Sequence, residues 1–136
     1  MRKLRTPVPD TQFDLLFRVY DDENVFKHLI PEKDVLIEQD YEAFFHAYEP
    51  KLVLNEKGQR STIRTLLGEI VLLEDNYNLG LVAHEILHAL LYWQVNRSHS
   101  SINKLSVQED LCKKMANIYN AFWIWDISGN EPEEGR

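Results

Sequence analysis

The chain has one cysteine, Cys112, in 136 residues. No intrachain disulfide can form, and no metal site can be built as a cysteine cage. A lone thiol fits a reducing compartment. Positive charge is also scarce. Fifteen Lys and Arg face 22 Asp and Glu, for a net charge of −7. With no Lys/Arg cluster either, nonspecific binding to nucleic acid is excluded as an expectation. Long hydrophobic runs are missing. Ile70–Leu73 and Ala89–Trp93 are short beside the roughly 20 residues of a membrane span. The basic start, MRKLR, leads into Thr6, Pro7, Pro9 and Asp10, not into an apolar stretch, so no secretory signal is expected. These absences point to a cytoplasmic protein with no membrane and no nucleic-acid partner. There is no internal repeat and no low-complexity segment.

The apolar fraction of 44% is that of a globular protein, and the length suits one domain with one core. Residues 1–12 read as an entry arm. "FDLLFRVY" (Phe13–Tyr20) is rich in β-formers and predicts a strand. "DDEN" caps a short helical turn carrying Val25, Phe26, Leu29 and Ile30, ended by Pro31. Tyr41–Tyr48 and Lys51–Leu54 read as strands around a Glu49–Pro50 turn, and Asn55–Arg60 as a loop. Gly68–Glu74 predicts another strand.

Asn78 is a candidate N-cap for a helix from Leu79 to about Val95. Asn96–Asn103 breaks it. Ser106, with Glu109 three positions on, matches a capping box for a second helix to about Trp125. Leu111, Met115, Ile118 and Phe122 share a face of that helix. The fold class is therefore α+β: a small mixed or antiparallel sheet, then two long helices packed on each other. The last nine residues, 128–136, are polar and acidic and read as a disordered tail.

One stretch carries chemistry: "LVAHEILHALLYW", Leu81–Trp93. His84 and His88 are four apart, so a helix sets them on one face, one turn apart, able to share an ion. Zinc accepts such nitrogens in tetrahedral geometry and keeps one position open in catalytic sites. Glu85, rotated by about 100° along the helix, does not ligate. It can instead act as general base on a metal-activated water, which is why chemistry of this type uses HExxH. Apart from Glu85, no charged residue lies between Leu79 and Gln94, as expected of a site helix set inside a small domain.

Two histidines need a third protein ligand. Glu109, 21 positions past His88 in the first turn of the second helix, is the leading candidate. His99, in the connecting loop, competes with it, and Asp110 is a further choice. Glu109 could equally be only the glutamate of the capping box. Tyr119, His99, Tyr92 and His46 are chemically able to stabilise an oxyanion.

"LVAHEILHALL" resembles the active-site helix of zincin metallopeptidases. With the preceding strand and the Glu109 helix, Gly68 to Trp125 resembles the gluzincin branch in a compact single-domain form, possessing features of a phage or prophage type. The resemblance implies one zincin-like domain over residues 1–127 and Zn2+ as cofactor. It implies His84, His88 and Glu109 as ligands, Glu85 as the base, and the Gly68–Glu74 strand as the substrate-binding edge. The amino-terminal half resembles no family. The chain also departs from the pattern. Lys113 stands where larger gluzincins often carry an Asp that supports a histidine ligand. The further His of the metzincins is missing after His88.

Two functions follow as expectations. One is zinc-dependent hydrolysis of a peptide bond in a protein or peptide substrate. The other is a catalytically weak or inactive zincin scaffold that binds a host or regulatory protein, with Trp123 and Trp125 as an exposed interface. Cys112, one turn past Glu109, is expected to be buried.

Overall fold

The computed structural model describes residues 1–29, 43–49, 57–58, 64–98 and 100–128. The predicted strand Lys51–Leu54, the end of the first helical turn at Ile30 and Pro31, His99 and the tail from 129 lie outside them. The described elements are strands β1 (Arg2–Pro7) and β2 (Phe13–Tyr20), helix α1 (Glu23–Leu29), strands β3 (Ala43–Ala47) and β4 (Thr65–Leu73), and helices α2 (Leu79–Asn96) and α3 (Leu105–Ser128). The domain is α+β, with one four-stranded mixed sheet in the order β1-β2-β4-β3. β1 runs antiparallel to β2, β2 parallel to β4, and β3 antiparallel to β4.

β1 occupies the segment expected to be an entry arm. Its signal was the alternation of exposed Lys3, Arg5 and Pro7 with inward Leu4 and Thr6, and its partner is the apolar β2. Arg2 fixes the start of the strand. Its guanidinium bonds both Glu74 oxygens, Asp126 and Tyr77 Oη, and stacks over Trp125.

The two central strands read as nearly unbroken apolar runs because both their faces are covered. Leu15, Phe17, Val19, Leu67, Ile70 and Leu72 face α2 and α3 in the main core. Phe17 and Phe122 meet there with ring centroids 4.8 Å apart. Val71 and Leu73 face the other way and form a smaller core with Phe44 of β3 and Phe26 of α1. A register shift between Asp14 and Leu15 leaves Leu67 unpaired as a bulge, so Leu67 and Ile70, three apart, both join the helix-side core.

Three expectations are corrected. The Gly68–Glu74 stretch is not a substrate-binding edge. β4 is interior, its hydrogen-bonding edges taken by β2 and β3, so no peptide can add to it; among the described residues β3 is the edge strand on that side. The capping box at Ser106 does not form. Val107 and Gln108 N–H donate to the Lys104 carbonyl, so the helix begins two residues earlier, at Leu105, and Ser106 lies inside its first turn. Cys112 is exposed and Trp125 is buried, because Leu111, Lys114, Ile118, Phe122 and Trp125 form the inward face of α3. Trp125 therefore cannot serve as an exposed interface, and Trp123 is half-buried.

Lys114 is buried on that face. It pairs with Asp110 at 2.6 Å and sits 5.0 Å over the Trp93 ring, which binds α3 to α2. Among the described residues no helix is long and apolar enough to cross a membrane.

Candidate metal centre

α2 starts where Asn78, in extended conformation, accepts the Leu81 N–H on its side chain at 2.9 Å. Val82, Glu85, Ile86, Ala89, Leu90 and Gln94 form its buried face. The 3.6-residue period then turns His84 and His88 outward, and both are exposed. Their Nε2 atoms stand 3.0 Å apart, with ring centroids at 4.6 Å. A tetrahedral zinc held at about 2.0–2.1 Å would separate two ligand nitrogens by roughly 3.3 Å. The pair fits such an ion within a few tenths of an ångström. The same geometry also lets one neutral ring donate its N–H to the other.

Glu85 faces inward and is only 6% exposed. Its Oε2 lies 4.0 Å from His84 Nε2. Burial raises its pKa above the ordinary carboxylate range, opposed by the charges of His88 and His84 and by the Phe45 backbone N–H. The buried Glu85 carboxyl therefore holds a proton more tightly than an exposed glutamate does.

Phe45 belongs to the edge strand, and its position has a sequence cause. Gly68 sits under β3. A Cβ there would stand 2.5 Å from the His46 carbonyl oxygen and 2.8 Å from the Phe45 ring. Only glycine lets β3 approach this closely. Tyr48 N–H donates to the Leu67 carbonyl, toward β4. By strand alternation the Phe45 N–H points the other way, away from β4 and toward Glu85.

Beyond His88, the next residue on the same ridge of α2 is Tyr92. Its ring packs on Phe45 at 5.8 Å. Arg97, at the helix C-cap, donates to Tyr92 Oη at 3.0 Å and to the Tyr48 carbonyl at 3.2 Å, and lies over the Tyr92 ring. Gln94 fixes the following loop by donating to the Ser100 carbonyl at 2.6 Å.

The other sequence candidates are placed as follows. Glu109 is exposed near the start of α3, and no three His, Cys, Asp or Glu side chains among the described residues gather around one ion position. The structure thus joins His84, His88 and Glu85, and does not bring Glu109 or Asp110 to them. Asp110 is held by Lys114. Tyr119 Oη donates to the Leu79 carbonyl at 3.4 Å, at the far end of α2 from Tyr92. His46 is exposed and 3.6 Å from Glu69, which also accepts from Tyr48 Oη and pairs with Arg18. His99 lies outside the described residues. Sequence reasoning missed Phe45, Gly68 and Arg97. The one available signal was an isolated glycine inside an apolar strand, which marks close backbone approach.

No protein-family model, curated protein or solved structure matches the chain.

Proposed function

We propose that this chain is a zinc-dependent metallopeptidase acting on a peptide bond of a protein or peptide substrate. The observation that carries the reading is the pairing of His84 and His88 Nε2 at 3.0 Å with the buried carboxyl of Glu85 at 4.0 Å from His84. His84 and His88 would hold the metal. Glu109, which does not meet the pair in this structure, is proposed as the third ligand and would have to approach it when metal binds. Its carboxylate is exposed on α3 and, with Ser106 inside the helix, no capping box engages it. His99 is the alternative. Bound zinc supplies Lewis acidity, polarising the scissile carbonyl and acidifying a water.

Glu85 is the proton carrier. Its raised pKa equips it to accept the proton of the attacking water and deliver it to the departing amine. The inward burial of Glu85 keeps bulk water from its carboxyl, and the Phe45 N–H steadies it at the edge of β3. That edge, and not β4, is where an extended substrate would add as a further strand.

The test is cleavage of a random peptide library by zinc-loaded protein, read by mass spectrometry, beside Glu85→Gln. Wild type should cut and the variant should keep its zinc and lose the cutting. A zinc-loaded Glu85→Gln protein that cuts as fast as wild type would sink the reading.

A second reading is a binding protein on the same scaffold. It is favoured by the exposed Leu87, Leu91 and Val95, which follow the histidines along the solvent side of α2. In that case Glu85→Gln leaves the biological effect intact.

A further inference from the structure

Arg97 is the anomaly among the arginines. Of the five that the structure describes, Arg2, Arg5, Arg18 and Arg64 each pair with a carboxylate. Arg97 pairs with none among the described residues, in a chain that carries 22 acidic side chains. Its acceptors are a neutral carbonyl and a neutral phenol, and its Nε is buried without a hydrogen-bond partner among the described residues; the Arg18 Nε is likewise unbonded but has the Glu69 carboxylate 3.0 Å away. Carbonyl dipoles at a helix C-terminus favour a cation. They do not neutralise it as a carboxylate does, and a half-buried guanidinium with an idle N–H is an incomplete arrangement.

The place of Arg97 gives the vacancy a meaning. Its fork bridges the end of β3, through Tyr48, to Tyr92, and Tyr92 is one helical turn past His88. Because the Tyr92 oxygen accepts from Arg97, its own hydrogen remains free to donate, and a chain of such bonds polarises each member. Arg97 and Tyr92 thus offer a positive corner with N–H and O–H donors at the end of β3, Tyr92 standing one helical turn past His88.

We propose that Arg97 and Tyr92 form a subsite for a carboxylate of the substrate, next to the scissile bond. The inference rests on the peptidase reading and narrows its substrate class to peptides with a negative group close to the cleaved bond. That group is either a free C-terminal carboxylate, which would make the enzyme trim peptide ends, or an Asp or Glu side chain, which would let it cut inside a chain. Arg97 binds the anion directly and also positions Tyr92.

The subsite can be tested without catalysis, on the metal-free full chain. The Arg97 Nε–H resonance is followed by NMR during titration with three probes: N-acetylglycine, the α-amide of N-acetylaspartate, and N-acetylglycinamide. The carboxylate of either of the first two should move the resonance to saturation, binding at least about fivefold more tightly than the uncharged amide. The better of the two identifies which source the subsite takes. Tyr92→Phe, which keeps the ring against Phe45, should weaken that probe, and Arg97→Gln should abolish its preference over the amide. Arg97→Lys should restore part of it. If no carboxylate moves the resonance, or the amide binds equally well, the subsite is overturned. The peptidase reading is judged separately, by zinc-loaded wild type against Glu85→Gln.

Discussion

His84 Nε2 and His88 Nε2 lie 3.0 Å apart on the solvent side of α2, while the carboxyl of Glu85 between them in sequence turns into the protein. One helical turn separates the two imidazoles, and around the helix Glu85 lies about 100° from His84 and about 60° from His88. One buried carboxyl and two exposed imidazoles are thus held on one rigid element.

Protein purified without added metal should carry about one zinc per chain by elemental mass spectrometry, as a three-ligand site implies. His84→Ala and His88→Ala should each lose it. Zinc present at 100 times its Kd should raise unfolding free energy by about 2.7 kcal/mol in wild type and not in either variant. A chain that stays near zero zinc after dialysis against the metal would make the pair an ordinary imidazole hydrogen bond.

Glu109→Gln should weaken zinc at least about tenfold in a competition assay with a chromophoric chelator, while His99→Asn leaves it unchanged. The reverse result would move the third ligand to the loop between α2 and α3.

Glu85 makes stability depend on pH in a definite direction. Its pKa is raised by burial, so the folded chain holds this proton more tightly than the unfolded chain. The contribution of Glu85 is fully present below the unfolded value of about 4.3 and is lost as pH rises through the folded value. In metal-free protein, Glu85→Gln should therefore raise Tm at pH 7 and leave it nearly unchanged at pH 3.5. Each kcal/mol gained corresponds to roughly 4 °C for a domain of this size. An equal Tm change at both pH values would remove the ionisation account.

Gly68→Ala would push a methyl against the His46 carbonyl and the Phe45 ring. The expected cost is about 1–3 kcal/mol in chemical denaturation. Because Phe45 is displaced, peptidase activity should fall further than stability accounts for. A variant as stable as wild type would show that β3 can shift without cost.

Much of this was legible from residues alone. The β2 strand, the short helix capped by Asp22, and both long helices followed from apolar periodicity and cap residues, which act over a few neighbours. HExxH spacing fixed which side chains share a helix face, because the helix period is the same wherever the helix sits. The predicted capping box failed by two residues, since the Lys104 carbonyl and not that of Ser106 takes the first helical bonds.

What the sequence by itself determined is therefore local: helix, strand, cap, and the ridge holding His84, His88 and Tyr92. Tertiary structure alone decided the rest. It made β1 a strand by pairing it with β2, and put β4 inside the sheet and β3 at its edge. It also buried Trp125, exposed Cys112, and left Arg97 beside Tyr92 with no acid among the described residues. These outcomes depend on partners in other elements, up to 124 positions away for Arg2 and Asp126, and no periodicity within one segment reports which face another segment will cover.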